Sequence, residues 1–455
     1  MIKRKDCFRV KYTCLFLSIF LSLASSVWAF DPLDVYQPEK DACSMELPKE
    51  NISLPLAMEY AVCQNPKLKA GYLSTQVSSA QYGQSLSSYM PDISGSARLS
   101  HSGSKKDGFS SEDSSNSSLS LSLNWLVFDF GGRTANSDKF ELYLKSALST
   151  YDNSLQSLLY SVADTYWAVL SAEEKYEGLQ ESEKSYQKSF EEANSRYELG
   201  LVPLSDKLQA ETAYKQAQLA SNVARKNIAL QRGNLANLLN LPPYTHFKLV
   251  RPSKKITDKD DVGKIENLIK TALEQRPDFK AATQKKEASL QDVRIAKSEW
   301  MPSISASASG SIDNRFNHGG ETTYSGSAGL TLSLPIFSGF SQSYKIGQAE
   351  YAYRQASQEL IDTKNAIENE VWSAVQDYKT SLESFQISKT LLSSAKENER
   401  VAFASYKVGK VNIITLLDAQ SSLAEARIEH STSFYNFLTA KSNLSKVLGQ
   451  MEIAK

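Results

Sequence analysis

The sequence repeats one pattern of residues about 210 positions apart, so the chain is expected to fold into two similar halves. Asn65-Pro66 and Met90-Pro91 of the first half return as Arg276-Pro277 and Met301-Pro302 at one common offset. The later matches have an offset two residues shorter, and they are Phe128 with Phe337, Tyr197-x-x-Gly200 with Tyr406-x-x-Gly409, Leu208-x-Ala210 with Leu417-x-Ala419, and Asn234-Leu235 with Asn443-Leu444. A small insertion or deletion therefore separates the copies in the Ser-rich stretch between Ile93 and Phe128, as is typical of a variable surface loop.

Each copy contains segments in which apolar and small polar residues alternate. The alternation is strict in residues 118–125, 303–308 and 327–334, and it is weaker in residues 93–100. A period of two predicts β-strands with one apolar and one polar face. The four strands would be about ten to fourteen residues long, which is the length that a tilted membrane-spanning strand requires.

The segments that follow the strands have a helical period instead. Apolar residues recur every three or four positions from Leu144 to Val162, and the same spacing returns from Tyr186 to Tyr197. This heptad predicts a helix with a coiled-coil face. Because no proline interrupts the segment from Thr134 to Glu198, the helix would be ~100 Å long at about 1.5 Å per residue.

These patterns predict a complete division of the chain. Residues 1–29 are a signal peptide, 30–53 an N-terminal periplasmic tail, 241–263 a linker and 449–455 a C-terminal tail. The first repeat, 54–240, consists of a helix, a β-hairpin at 91–129, a long helix at 134–198 and a helix at 205–240. The second repeat, 264–448, consists of a helix, a β-hairpin at 302–337, a long helix at 341–406 and a helix at 412–448.

The signal peptide is predicted from a basic start, an apolar run from Cys14 to Ala24 and small residues before Phe30. Its removal takes away five basic residues and one acidic residue, so the neutral precursor becomes a chain of net charge −4, which gives no reason to expect nucleic acid. Cys43 and Cys63 then remain in an oxidising compartment. A disulfide between them and two unpaired thiols are both open at this point.

Strands with a leucine face and a serine face fit either a soluble sandwich or a membrane barrel. Length and context favour the barrel, because four strands joined to rods of this length would have little core in water, whereas a barrel places its apolar face on lipid. In lipid every backbone group needs a partner, so the sheet must close. Since known barrels begin at about eight strands, the chain must associate, and two, three or four copies are all possible on this ground.

The chain resembles the TolC family of outer-membrane efflux proteins from the first helix to Leu448. The resemblance rests on the duplicated unit, on the turns Phe128-Asp129-Phe130-Gly131-Gly132 and Leu334-Pro335-Ile336-Phe337-Ser338-Gly339, and on the Arg/Ser-Tyr-x-x-Gly turn in each copy. It implies an α+β membrane protein, in which a homotrimer forms a 12-stranded barrel in outer-membrane lipid and a coiled-coil α-helical tunnel in the periplasm.

The resemblance also implies a function. It is that of the exit channel of a tripartite efflux pump or a type I secretion system, which conducts substrates passively through a gated periplasmic entrance. The implied partners are a periplasmic adaptor (a membrane fusion protein) and an inner-membrane RND or ABC transporter. The cargo is left open, because drugs, metals, peptides and proteins all leave through such channels.

Two glycines stand where helices must turn back, and Gly200 and Gly409 are expected to adopt positive φ as helix C-caps. Ordinary helix termination and a special role are both open for them. In the resembled family these turns form the periplasmic tip. Carried over by position, the gate residues are Gly200, Ser205, Asp206, Tyr406, Gly409, Lys410, Thr415 and Asp418.

Within this set, Tyr406 matches a tyrosine that bonds to the carboxylate at Asp206 when the gate is shut. Val411 departs from the family, whose best-known member has an arginine there, so the bond network is expected to be weaker or to use Lys410. Asp418 matches one of two carboxylates at the constriction, and Thr415 stands in place of the other. We therefore expect a cation-attracting ring of lower charge density.

Five aromatic residues flank the strands, and they are interpreted as membrane-interface girdles: Tyr89, Trp125, Phe128, Trp300 and Phe337. Catalytic signals are absent from the sequence, and the isolated histidines predict neither a metal site nor a cofactor. Two rival interpretations remain: a trimeric coiled-coil adhesin without a conduit, and a periplasmic enzyme. The duplicated hairpins argue against the first and the missing catalytic motifs against the second.

Overall fold

The computed structural model describes residues 51–104, 112–253, 263–316 and 321–451. The predicted signal peptide, nearly all of the N-terminal tail with Cys43, and residues 452–455 lie outside this range. The described chain divides into two compact units. We call Gln76–Leu144 with Gln291–Ala349 the sheet unit, and the remaining described residues the helical unit.

The elements occur in the same order in both copies. The first copy contains α1 (Leu54–Gln64), α2 (Pro66–Ser87), β1 (Asp92–Ser104), β2 (Glu112–Phe128), α3 (Gly132–Glu198) and α4 (Leu204–Leu238). The second contains α5 (Ile265–Gln275), α6 (Pro277–Ser298), β3 (Ser303–Arg315), β4 (Glu321–Ser333), α7 (Ser341–Lys407) and α8 (Ile413–Val447). Equivalent helices have equal lengths, and α3 and α7 are both 67 residues long, so the duplication extends to the dimensions of the elements.

The first helix of each copy, predicted as one segment, is divided in two by a proline. Asn65 and Arg276 precede the prolines and have extended backbones with ψ of 118° and 125°. This is the conformation that the proline ring imposes on the preceding residue, and it ends α1 and α5. The pre-proline side chains then satisfy carbonyls at the ends of α4 and α8: Asn65 Nδ2 donates to Leu238 O at 3.1 Å, and Arg276 Nη1 to Val447 O at 3.5 Å.

The four strands form one antiparallel sheet in the order β1-β2-β3-β4. Two neighbouring rows across the sheet consist of serine, namely Ser94, Ser122, Ser309 and Ser327, and Ser96, Ser120, Ser311 and Ser325. Within each hairpin these serine rows are joined by Oγ–Oγ hydrogen bonds of 2.7 to 2.9 Å. The next row holds Arg98 and Asp313. The opposite face presents exposed leucines, such as Leu330 at 76 % exposure, so the predicted division into a polar and an apolar face is present.

Each second strand enters its long helix through a joint with two consecutive residues at positive φ. In joint 1 (129–131) these are Phe130 and Gly131, and in joint 2 (334–340) they are Gly339 and Phe340. The side chains that support the joints differ. Arg133 pairs with Asp129 at 3.3 Å and donates to the carbonyls of Leu126 and Val127, whereas its counterpart Gln342 donates to Ala296 O at 2.7 Å.

The largest core cluster of the helical unit surrounds the middle of α3. Tyr166 is 1 % exposed, and its hydroxyl reaches the carbonyls of Ile52 and Val250 at 3.0 and 2.7 Å. Ile52 also pairs with Leu249 in a parallel bridge. The end of the predicted tail and the start of the predicted linker are therefore held against each other rather than extending freely. Among the described helices, none combines the length and apolarity that a membrane span requires.

Candidate functional site

The turns at the ends of the long helices have the same backbone. Turn 1 (199–203) contains Gly200 at φ 71°, and turn 2 (408–412) contains Gly409 at φ 75°. In both turns an N–H just after the glycine reaches back to the last helical turn, from Leu201 to Arg196 O at 2.8 Å and from Lys410 to Ser405 O at 2.9 Å. These bonds satisfy carbonyls that the helix ends would otherwise leave free, and they require a residue that tolerates positive φ.

The helices that leave the turns begin differently. α4 follows Pro203, which has no side-chain cap, and carries Asp206 in its first turn, where a negative charge is favourable. α8 follows Asn412, whose Oδ1 accepts from the backbone N–H and the hydroxyl of Thr415, both at 2.9 Å. Thr415 is thus engaged in capping α8.

Arg196 of the first copy reaches turn 2. Its Nη1 donates to the carbonyl oxygen of Tyr406, and its guanidinium carbon lies 5.1 Å from the centre of the Tyr406 ring. A Cβ added at Gly409 would lie 3.4 Å from Arg196 Nη2, so the guanidinium lies directly beside turn 2. Arg196 was not predicted as a site residue from the sequence. The signal that could have identified it is the difference between the copies, which have Arg196 before Tyr197 and Ser405 before Tyr406.

Tyr406 is buried, at 2 % exposure, in a cluster that includes Ala193, Ala402 and Leu416. Among the described residues its hydroxyl has no hydrogen-bond partner, and neither has Arg196 Nε. Burial raises the pKa of Tyr406 above its usual value, and the positive charge of Arg196 opposes this effect. The predicted bond to Asp206 is not formed in this conformation. Asp206 instead accepts from Ser205 Oγ at 3.3 Å.

Asp418 lines a groove between α4 and α8. The groove has a volume of about 470 Å³, and Tyr186, Gln209 and Gln216 are among the residues that border it. Burial raises the pKa of Tyr186, and the charges of Glu425 and Asp418 add to this shift. The Asp418 carboxylate is exposed, as a residue that acts on passing ions must be. Lys410 is also exposed, on turn 2.

A buried polar layer lies above the turns, and the sequence analysis did not predict it. Gln420, 2 % exposed, donates through Nε2 to the hydroxyls of Ser185 and Ser189, both at 2.8 Å. Ser185 in turn donates to Glu399 at 2.8 Å. The layer joins α3, α7 and α8, and its only signal in the sequence was a polar residue at a heptad position.

The five predicted interface aromatics all lie beside the same end of the sheet. The register Asp92–Asn124 and Ser303–Ser333 places the start of each hairpin next to its end. There the Trp125 indole donates to Tyr89 O at 2.9 Å, while Phe128 packs edge-on against Phe130 and Phe337 against Phe340. Trp300, in the turn before β3, is 41 % exposed.

Cys63 lies in α1 and is disulfide-bonded. Cys43 lies outside the described residues. The pairing of these two cysteines stays a prediction.

A sequence model described as "Outer membrane efflux protein" matches residues 57–241 and 268–450, which are the two copies found by internal comparison. The chain belongs to the outer membrane efflux protein family. The resemblance to TolC proteins is thereby confirmed. As a member of this family of channel and transport proteins, the chain is a subunit of an outer-membrane channel of efflux or secretion systems. The family's channels are trimers that work with pump partners.

Two similar proteins with curated descriptions are Protein CyaE of Bordetella pertussis and the outer membrane protein TolC of Escherichia coli. CyaE is 26 % identical over 385 residues, which are 84 % of this chain and 80 % of CyaE. TolC is 24 % identical over 415 residues, covering 86 % of this chain and 81 % of TolC.

Solved structures show the same fold. The outer-membrane channel OprN has a TM-score of 0.78 at 18 % identity, and the match covers 87 % of this chain and 89 % of the OprN chain. The Campylobacter jejuni channel CmeC has a TM-score of 0.78 at 18 % identity and covers 88 % and 86 %. The predicted fold class is confirmed: four strands per chain for a trimeric barrel and a helical periplasmic tunnel. The adhesin alternative has no support.

Proposed function

We propose that turns 1 and 2 form a gate at the periplasmic entrance of the channel. The observation that carries the proposal is the contact of Arg196 with Tyr406, because it joins the end of α3 to the end of α7, next to both turns. Two donors of this contact, Tyr406 Oη and Arg196 Nε, are buried without acceptors among the described residues, and this supports a gate that has a second state. Leaving a buried donor unpaired costs about 1–3 kcal/mol, and movement of Tyr406 toward Asp206 would recover part of it.

We further propose that the aromatics beside the sheet contact the membrane interface. Tyr89, Trp125, Phe128, Trp300 and Phe337 are partly or fully exposed at one end of a sheet whose leucine face is bare. Rings with a polar edge are favoured at the level of the lipid headgroups. We also propose the signal peptide at 1–29 and a disulfide between Cys43 and Cys63. Both features agree with export of the chain from the cytoplasm.

The partners follow from the site. A periplasmic adaptor would contact the turns, where Leu199 and Leu201 of turn 1 and Val408 of turn 2 are each more than 60 % exposed. An inner-membrane RND or ABC transporter would supply the cargo through this adaptor. Affinity purification of the native channel, with mass spectrometry of bound proteins, identifies which transporter class is present.

Conductance of the purified protein in planar bilayers tests the channel and its gate together. We expect cation-preferring pores of low conductance, because three Asp418 carboxylates would ring the entrance. The double variant Tyr406→Phe, Asp206→Ala should conduct more, since it removes the bond proposed for the shut state. Absence of pores from the wild-type protein would refute the channel. Pores that are identical in the wild type and the double variant would refute the bond alone.

A further inference from the structure

The described sheet has two edge strands, β1 and β4, whose outer sides have no partner in the described part of the chain. Backbone groups at such edges must be paired inside a bilayer. We propose that β4 pairs with β1 of a neighbouring subunit in one defined register, with Ser333 opposite Ser96 of the partner subunit. The inference rests on the trimeric channel, and it adds the alignment of the strands where two subunits meet.

The register follows from the duplication, which the sheet obeys at the level of single residues. The repeat aligns Ile93 with Ile304 and Phe128 with Phe337, so β1 corresponds to β3 and β2 to β4. Asp92 pairs with Asn124 in the first hairpin, and the corresponding residues Ser303 and Ser333 pair in the second. Both hairpins therefore have the same register, without a shift.

The contact between β2 and β3 within the chain is equivalent to the contact proposed between β4 and β1 of the partner subunit. It joins the second strand of one hairpin to the first strand of the next, which is also what a contact of β4 with a neighbouring β1 would do. In the internal contact Asn124 pairs with Ser307. The residues that correspond to Asn124 and Ser307 are Ser333 and Ser96, and this fixes the proposed pair.

The side chains agree with this register. It places Leu332 opposite Ala97 of the partner subunit on the apolar face, and Thr331 opposite Arg98 of the partner subunit on the polar face. A slip of one residue would turn the leucine side of one strand toward the serine side of the other. Such a slip would put leucine side chains in the water-filled lumen and hydroxyls in lipid, and both changes are unfavourable.

Cysteine cross-linking tests the register directly. Opposed residues of antiparallel strands have Cα atoms about 4.5–5.5 Å apart, within the range of a disulfide. The double variant Ser333→Cys, Ser96→Cys should give a covalent trimer on a non-reducing gel after mild oxidation of the purified channel. The variant Ser333→Cys, Ser100→Cys should not, because its cysteines would be offset by four residues, about 13 Å.

The internal contact supplies a matched control. Asn124→Cys, Ser307→Cys should form a disulfide within one chain, which shows that oxidation works at this position of the sheet. Cross-linking through Ser100 instead of Ser96, or trimers without any cross-link between subunits, would overturn the register. Light scattering of the wild-type protein in detergent separates the two proposals, because the absence of trimers would refute the trimeric channel itself.

Discussion

The two strand-to-helix joints have the same backbone but different supports. Joint 1 has a largely buried ion pair between Asp129 and Arg133, and joint 2 has Ser338 and Gln342 at the corresponding positions. The ends of the long helices repeat the contrast, because Arg196 of α3 corresponds to Ser405 of α7. In both comparisons the shared feature is a backbone with positive φ and the variable feature is a charged anchor.

The contrast teaches that a duplicated fold needs its special backbone conformations twice but its charged anchors only once. Positive φ has no substitute in a tight turn, so each copy keeps a glycine there. A carbonyl at a helix end can be satisfied from either copy, as Arg196 shows by reaching Tyr406. At the residues that precede the prolines, the charged side chain belongs to the second copy, which has Arg276 where the first copy has Asn65.

The largest expected effect lies at joint 1. Asp129→Ala would leave the Arg133 guanidinium largely buried without its carboxylate, so the free energy of unfolding should fall by about 3 kcal/mol. Ser338→Ala, at the same place in joint 2, should change it by less than about 0.5 kcal/mol. Urea titration followed by circular dichroism measures both. Equal losses in the two variants would contradict an unequal support of the joints.

The next effect concerns the turns. Arg196→Gln removes a hydrogen bond from a charged group, which contributes about 1.5 kcal/mol. Such a change corresponds to a roughly tenfold shift in an equilibrium. Because the contact is made in the conformation without the Tyr406–Asp206 bond of the shut state, its loss should lower the fraction of open channels in planar bilayers by about that factor. Arg400→Gln is the control, because Arg400 lies on α7 and pairs with the neighbouring, exposed Glu397. The same conductance from the wild type and the Arg196 variant would show that the contact does not restrain turn 2.

A smaller effect is expected from a difference between the two long helices, α3 and α7. Tyr166 of α3 corresponds to Val375 of α7, and burial raises the pKa of Tyr166 from 10.0 to about 12. The native state then holds this proton more tightly than the unfolded state. The corresponding stability is present below pH 10 and is lost as the pH rises through about 12.

Tyr166→Phe should therefore flatten the alkaline loss of stability, at a cost of about 1 kcal/mol near neutral pH from the missing hydrogen bonds. Melting curves between pH 8 and about 12, the window set by this pKa, provide the measurement. Unchanged alkaline steepness in the variant would mean that other groups dominate the loss.

The smallest effect concerns ion preference at the groove. Asp418 of the second copy corresponds to Gln209 of the first, and both border the groove between α4 and α8. Asp418→Asn should lower the cation-to-anion permeability ratio roughly twofold, and Gln209→Glu should raise it by a similar factor. Reversal potentials in a salt gradient measure the ratio. An unchanged ratio in both variants would place these residues away from the ion path.

The fold could be predicted because its signals are periodic and local. Alternation at residues 118–125 and heptads near Leu155 each extend over many residues, so single exceptions do not hide them. The breaks at Pro66 and Pro277 were missed, although these prolines had marked the repeat and a proline inside a helix kinks or breaks it.

The candidate site could be predicted only in part. Gly200 and Gly409 could be predicted because glycine is the residue that most readily adopts positive φ. The contact of Arg196 with Tyr406 joins residues 210 positions apart, and nothing in the local pattern indicates which arginine reaches which carbonyl. The layer of Gln420, Ser185 and Ser189 was missed for the same reason, since its hydrogen bonds exist only once three helices are packed.

The serine rows have a consequence for how material moves through the sheet-lined part of the channel. Their hydroxyls are joined in pairs, and each pair still has acceptor lone pairs that water in the lumen can use. At these rows the wall is wetted by water and presents only short, uncharged side chains to cargo. We expect the serine rows to bind cargo weakly, so that this part of the channel passes the solutes that the entrance has admitted.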